Sequence, residues 1–192
     1  MASLTRRSLS SAALAAAVLL LPACDEPDGG PVDGTYIARV DETLIAIVVS
    51  TTDELTSAYA CDGREGVDAP SAAWFAADRD GDTVELTGKR GALTVRFDGE
   101  LAVGELRLDG AEPRTYEAAL ASTGALLWGH SETEDMLGGW IFADDGTQRG
   151  AVIKRLTGDV AASSLTDQSV SSATFGASML KIKPMLTPTV VP

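Results

Sequence analysis

Residues 91–110 read GALTVRFDGELAVGELRLDG and predict two antiparallel strands joined by a tight turn. Apolar and polar residues alternate in the first half, which places Leu93, Val95 and Phe97 on one face of a strand. The second half alternates less cleanly because Gly104 interrupts it, and a glycine inside a strand indicates a bulge or a sharp bend. The Asp-Gly pair between the halves has the residue types that tight hairpin turns favour.

Asp-Gly pairs recur through the strand-rich region, three of them at intervals of 18 residues. They occur at Asp62-Gly63, Asp80-Gly81, Asp98-Gly99, Asp109-Gly110 and Asp145-Gly146. The segments between them are rich in β-branched and aromatic residues, and none has the pattern of a robust amphipathic helix. We therefore expect about ten short strands, at 35–41, 43–50, 55–61, 72–78, 82–88, 92–97, 101–108, 114–121, 124–130 and a closing hairpin of 139–143 with 148–155. The predicted fold is all-β, an antiparallel meander closing into a small barrel or a two-sheet sandwich.

Composition limits the classes of function. The 192 residues include 15 basic and 28 acidic side chains, a formal net charge of -13, and 45% are hydrophobic. This length and apolar content suit a single folded domain. The acidic balance, with no cluster of Lys and Arg, argues against nucleic acid as a partner.

The amino terminus has the pattern of an export signal. Arg6 and Arg7 precede an apolar run at 12–21, which is too short for a transmembrane helix of about 20 residues. The run ends in Leu21-Pro22-Ala23-Cys24, which resembles the lipobox of bacterial lipoproteins, although Pro22 is unusual at its position. The resemblance implies cleavage after Ala23 and lipid attachment to Cys24. The bilayer would then be a partner, with the protein lipid-anchored on the extracytoplasmic side of a bacterial cell membrane.

Two details of export stay open. Arg6 and Arg7, followed by Leu9, also resemble a twin-arginine signal, so both general secretory and twin-arginine export are compatible with the sequence. Inner and outer membrane also stay open as destinations.

The chain divides into four expected segments. Residues 1–23 are the signal peptide, and residues 24–34 are the lipidated Cys with a Pro- and Gly-rich tether. Residues 35–156 form the β domain. Residues 157–192 are a Ser-, Thr- and Ala-rich tail, expected to be largely flexible with one short strand at 177–182.

The β domain resembles a group of uncharacterised exported bacterial β-domain proteins. The residues that carry this resemblance are Thr35 to Val40, Ala46 to Val49, Tyr59 to Gly63, Trp74, Gly139 to Phe142 and Asp145 to Gly150. The resemblance implies a β fold and an envelope location, and it implies no known activity.

Two acidic clusters are candidate metal sites. Asp78, Asp80 and Asp82 alternate in a short loop, as the carboxylates of calcium sites do. The loop lacks the glycine and glutamate positions of an EF-hand, so a charged hairpin turn is the favoured interpretation. The second cluster, Glu132, Glu134 and Asp135, is expected to be a solvated loop surface.

His130 and Cys61 are the remaining candidates for chemistry. His130 is the only histidine, and no Gly-x-Ser-x-Gly turn accompanies it, so a catalytic or metal-binding role is not favoured. With Cys24 lipidated, Cys61 is either a buried thiol or available for intermolecular pairing. Without lipidation, a Cys24 to Cys61 disulfide becomes possible.

These observations favour a non-catalytic binding or interaction domain, with an envelope protein or a small molecule as its partner. Neither a catalytic residue nor a cofactor is predicted. Two alternatives remain: a barrel that carries a small apolar ligand inside it, and an envelope hydrolase that uses paired carboxylates.

Overall fold

The computed structural model describes residues 29–64, 68–131, 135–176 and 178–191, and these ranges are all-β, without a helix. In chain order their strands are β1 (Gly34–Val40), β2 (Thr43–Val49), β3 (Leu55–Cys61), β4 (Ala73–Asp78), β5 (Thr83–Gly88), β6 (Gly91–Asp98), β7 (Leu101–Leu108), β8 (Arg114–Leu120), β9 (Ala125–Ser131), β10 (Met136–Phe142), β11 (Gln148–Lys154), β12 (Val160–Ala162), β13 (Ser172–Phe175) and β14 (Ser178–Pro184).

Strands β1 to β8 form a closed antiparallel barrel in chain order. The last strand returns to the first, with Tyr36 opposite Leu120 and Ala38 opposite Ala118. Closure leaves no unpaired edge at these two strands, which is the advantage of a barrel over an open sheet. The predicted all-β antiparallel meander is confirmed, and of the two closures left open, a barrel or a two-sheet sandwich, these eight strands form the barrel.

The barrel interior is filled by the alternate residues of its strands, as the period of two requires. Leu93, Val95 and Phe97 share one face, as predicted, and this face points into the barrel. Tyr36 contacts Phe97 edge to face, with ring centroids 5.3 Å apart. The other large side chains of this cluster are Ile45, Ile47, Val49, Phe75, Val84, Leu86, Leu106 and Tyr116.

Gly104 has a different role from the predicted bulge. The ladder between β6 and β7 runs from Gly91 opposite Leu108 to Asp98 opposite Leu101 without an inserted residue. A Cβ on Gly104 would lie 1.9 Å from the carbonyl oxygen of Thr94 and 2.7 Å from the hydroxyl of Tyr116. That hydroxyl donates to the same Thr94 oxygen at 2.7 Å. Gly104 therefore makes room for a close approach inside a regular ladder.

Four of the five predicted Asp-Gly turns are confirmed by a positive φ, between 59° and 81°, at Gly81, Gly99, Gly110 and Gly146. The pair at Gly63 is the exception, because β3 and β4 are joined by the longer connection 62–72. Gly63 accepts a hydrogen bond from the N–H of Gly150 at 2.9 Å, and a Cβ on it would lie 2.5 Å from the Gly150 oxygen. This glycine allows the barrel to approach β11.

The second sheet has six antiparallel strands in the order β12-β11-β10-β9-β14-β13. Strands β9 to β11, expected in one domain with the preceding strands, belong to this separate sheet. Segment 157–192, expected to be a largely flexible tail with one short strand at 177–182, contains β12, β13 and β14, and β14 overlaps the expected strand. A period-two pattern in β14 buries Leu180 and Ile182 against the sheet.

The barrel and the second sheet share an apolar interface. Outward side chains of β2 and β3, including Leu44 and Tyr59, pack against Leu126, Ile141 and Ala151 of the second sheet. Strand β2 is therefore buried on both faces, and each of its residues is buried. This double burial accounts for its continuous apolar sequence.

Polar contacts surround this interface. Arg149 of β11 donates from Nε to the carbonyl oxygen of Glu42 at 2.9 Å and pairs with its carboxylate at 3.1 Å. Arg39 of β1 pairs with Asp145 at 2.9 Å. Both contacts join the barrel to the second sheet.

Candidate functional site: a groove beside strand β4

A groove of about 470 Å³ lies beside β4, where the barrel meets the second sheet. This volume is within the range of about 300–1,000 Å³ that is typical of small-molecule sites. Its lining is predominantly apolar and consists of Leu55, residues 72–78, residues 87–90, Leu137, Ile153, Arg155, Gly158, Val190 and Val191.

The groove follows a weak seam in the barrel wall. Strands β4 and β5 share a single ladder pair, Ala76 with Thr87, and one isolated bridge, Asp80 with Thr83. By comparison, the ladder between β3 and β4 is continuous from Leu55 to Ala60. Both faces of β4 line the groove, because Phe75 belongs to the barrel interior and Trp74 to the interface with the second sheet.

The carboxyl-terminal segment 185–191 forms one wall of the groove. Met185 is buried in the interface, and its N–H donates to Leu126 O at 2.8 Å. Thr189 is hydrogen-bonded to Ser57 on the outside of the barrel. These two attachments place Val190 and Val191 beside the groove. Sequence reasoning missed this wall, because the segment was expected to be part of a flexible tail.

Charged side chains lie at the rim. Lys89 and Arg90 come from the turn between β5 and β6, and Arg155 follows β11. Arg155 is paired with Asp135, with 2.6 Å between Nε and Oδ1. Among the described lining residues the only carboxylate is Asp78, at the far end of β4.

Two aromatic side chains next to the groove keep unpaired polar atoms. Trp74 Nε1 and Tyr59 Oη are buried and have no hydrogen-bond partner within the described part of the chain. The two rings contact each other, with centroids 4.4 Å apart, and pack on Gly139, where a Cβ would lie 2.7 Å from each ring. Burial raises the pKa of the Tyr59 hydroxyl well above its usual range.

The predicted metal candidates do not converge. Asp78 ends β4, Asp80 bridges to Thr83, and Asp82 accepts from the Thr83 hydroxyl at 3.2 Å. In the described ranges no three His, Cys, Asp or Glu side chains are arranged to hold a metal ion. These aspartates lie at the end of β4 and in the turn that follows it. Glu132 and Glu134 lie outside the described residues, and Asp135 pairs with Arg155.

The surroundings of His130 and Cys61 suit a structural role. His130 stacks on Trp128 of the same strand at 5.5 Å, and Lys183 Nζ lies 4.4 Å from the Trp128 ring. Cys61 is a buried free thiol, and burial raises its pKa to about 11. A thiol that stays protonated at neutral pH is a poor nucleophile.

Asp144 is a structural carboxylate that sequence reasoning missed. Its two oxygens accept from the backbone N–H groups of Ser122, Thr123 and Gly124 and from the first two hydroxyls. The backbone N–H of Ser122 contributes most, followed by that of Thr123, and together these hydrogen bonds hold the pKa of Asp144 well below its usual range. Asp144 thereby orders the connection from the barrel to the second sheet.

A smaller recess of about 230 Å³ lies away from the groove. It is lined by β1, by Ala119 and its neighbours at the end of β8, and by residues 143–145. Arg39 and Asp145, which pair across it, make it more polar than the groove.

The candidate export and lipidation residues Arg6, Arg7 and Cys24 lie outside the described residues, as does the whole of 1–28. None of the described segments is a helix long and apolar enough to cross a membrane. No family model, no curated protein and no solved structure matches this chain.

Proposed function

We propose that this protein is a non-catalytic binding protein of the bacterial cell envelope and that its groove beside β4 takes a small apolar ligand. The observation that carries this proposal is the groove itself, about 470 Å³ with walls of Trp74, Phe75, Leu137 and Ile153. Sites for small molecules are concave, mostly apolar and bordered by a few polar groups, and this groove has each of these features.

The proposed ligand position is the seam in the barrel wall and the space beside it, not the filled centre of the barrel. The barrel interior is filled by large side chains, among them Tyr36, Phe97 and Leu86. The weak seam between β4 and β5 instead opens toward the second sheet, where the lining residues come from both layers. A ligand at this position would contact the barrel wall and the second sheet together.

The groove gives less support to a carboxylate-dependent hydrolase. Glycoside hydrolysis of the usual kind requires two carboxylates, separated by about 5–9.5 Å, on either side of the scissile bond. Asp78 is the single carboxylate among the described lining residues, and it is exposed. We therefore favour binding over hydrolysis.

The proposed setting is a lipid anchor at Cys24 on the extracytoplasmic side of the membrane. Its support is the order of features in the sequence: Arg6 and Arg7, an apolar run, small residues and then Cys24. Each methylene of an attached acyl chain contributes about 0.8 kcal/mol to membrane affinity. Mass spectrometry of the mature protein should find Cys24 acylated at the new amino terminus, and an unmodified Cys24 would contradict the anchor. Cys24→Ala should block processing, whereas Cys61→Ala should leave it unchanged.

Ligand binding is tested with the neutral fluorescent probe N-phenyl-1-naphthylamine. We expect the probe to bind the folded protein with a rise in fluorescence. Ala76→Phe, which fills the groove beside β4, should weaken binding by at least about tenfold, the effect of losing roughly 1.4 kcal/mol. Ala119→Phe is the matched control, because this exposed alanine lines the smaller recess instead.

Two results would overturn the groove as the binding site. One is the absence of probe binding by the wild-type protein when circular dichroism shows that it is folded. The other is a loss of binding in Ala119→Phe that equals or exceeds the loss in Ala76→Phe.

A further inference from the structure

We propose that the groove ligand is an amphiphile with one anionic group, a carboxylate on an acyl chain, and that Lys89 and Arg90 hold this carboxylate. The inference rests on the proposed function, an apolar ligand in the groove beside β4, and adds the chemical class of that ligand. Its basis is the position of cationic and anionic side chains along the groove.

Two backbone carbonyl groups hold the Arg90 guanidinium at one end of β4. Its NH1 donates to Ala72 O at 3.1 Å and its NH2 donates to Pro70 O at 2.7 Å. Since a guanidinium has five N–H donors, others remain for an anion. Arg90 is thus oriented at the groove without being neutralised by these carbonyl contacts.

Lys89 adds a second charge in the same turn. Neither Lys89 nor Arg90 forms an ion pair with a carboxylate of the described residues, whereas Arg155 is already paired with Asp135. Two adjacent cations that lack a carboxylate partner among the described residues are unexpected in a chain with 28 acidic and 15 basic residues. A ligand carboxylate would supply the missing counter-charge through charge-assisted hydrogen bonds.

At the other end of the groove the charged lining residue is an acid. Asp78 ends β4, and residues 73–78 of an extended strand span about 16 Å. An anion is repelled at the Asp78 end and attracted at the Arg90 end, so the charges favour one orientation of the ligand. The apolar walls between the ends, Phe75, Leu137 and Ile153, are suited to the acyl chain.

The test compares dodecanoate with dodecanol by isothermal titration calorimetry, because both have the same chain length and differ in head-group charge. We expect dodecanoate to bind about tenfold more tightly, as for one charge-assisted contact at a partly exposed site. About 1 M salt, which shortens the Debye length to about 3 Å, should reduce this difference.

The double variant Lys89→Gln/Arg90→Gln should abolish the preference, so that dodecanoate and dodecanol bind with the same affinity. Lys89→Gln alone, which keeps the Arg90 contacts to Pro70 and Ala72, should reduce the preference in part. The charge-matched control is Arg96→Gln/Lys154→Gln, two exposed cations that do not line the groove and should preserve the preference.

The outcomes separate this inference from the function on which it rests. Equal binding of dodecanoate and dodecanol, or a preference that survives Lys89→Gln/Arg90→Gln, overturns the anionic ligand and leaves the apolar groove standing. Failure of both compounds to bind the folded protein overturns the groove function as well.

Discussion

Ser57 and Thr189 hydrogen-bond to each other in both directions. Ser57 Oγ donates to the carbonyl oxygen of Thr189 at 2.7 Å and accepts from its N–H at 2.8 Å. The buried serine belongs to β3 and the threonine to the carboxyl-terminal segment, 132 residues later. This pair attaches one wall of the groove to the barrel.

Ser57→Ala should therefore loosen the groove wall. Both backbone groups of Thr189 lose their partner, so we expect the free energy of unfolding to fall by about 1–2 kcal/mol. Amide hydrogen exchange should accelerate at Thr189 and Val190. Ser164→Ala, at an exposed position, is the control, and unchanged exchange in Ser57→Ala would show that the attachment does not hold this segment.

Arg149→Ala should weaken the interface between barrel and second sheet. The side chain is 10% exposed and binds both the carbonyl and the carboxylate of Glu42, so we expect a loss of about 2 kcal/mol in urea unfolding. Arg64 pairs with the same carboxylate but is 52% exposed, and Arg64→Ala should cost about 0.5 kcal/mol or less. Equal losses in the two variants would contradict the role assigned to Arg149.

Gly104→Ala tests the close approach between β6, β7 and β8. The added Cβ would lie 1.9 Å from Thr94 O, so the ladder or the Tyr116 ring must shift. We expect destabilisation of about 3 kcal/mol in thermal or urea unfolding. Gly30→Ala, where nothing lies within 4 Å of the new Cβ, should change stability by about 0.5 kcal/mol or less. A stable Gly104→Ala variant would disprove the steric role.

Asp144 should make stability depend on pH in the acidic range. Its pKa is lowered in the folded state, so its contribution is fully present above the ordinary value of 3.8 and is lost as the pH falls below it. Asp144→Asn should lower the free energy of unfolding by about 1 kcal/mol at neutral pH, a small value because the carboxylate is exposed to solvent. The variant should also show a flatter decline of this free energy below about pH 4. Asp109→Asn is the control, because its carboxylate makes no hydrogen bond to the described residues. If the free energy of unfolding of Asp144→Asn fell with decreasing pH as steeply as that of the wild type, this role would be contradicted.

Local patterns in the sequence were sufficient for most of the barrel strands and for four of the five Asp-Gly turns. Leu93, Val95 and Phe97 face inward because side chains alternate along any strand, whatever its partner. A positive φ at Gly99 is similarly a property of the turn residues themselves. The Asp-Gly pair at Gly63 was misinterpreted because the contact that explains it, with Gly150, is distant in sequence.

The candidate site depended on pairings between distant segments. Strand β14 inserts between β9 and β13, and its neighbour in the chain, segment 185–191, then reaches the groove. No periodicity encodes which strand a segment will pair with, since every exposed edge offers the same backbone groups. Lys89, Arg90 and Asp78 likewise line one groove only because β4 and β5 separate there.

The sequence by itself determined that the chain forms an antiparallel meander with tight Asp-Gly turns, because alternation and turn chemistry act over a few neighbouring residues. Only the tertiary structure decided that eight strands close into a barrel and that the remaining strands form a second sheet with the carboxyl-terminal segment. The groove between these layers arises from that assembly, since its walls come from β3, β4, β5, β10, β11 and residues 190–191. The physical reason is that strand partners and packed faces are selected by long-range burial, which no local pattern contains.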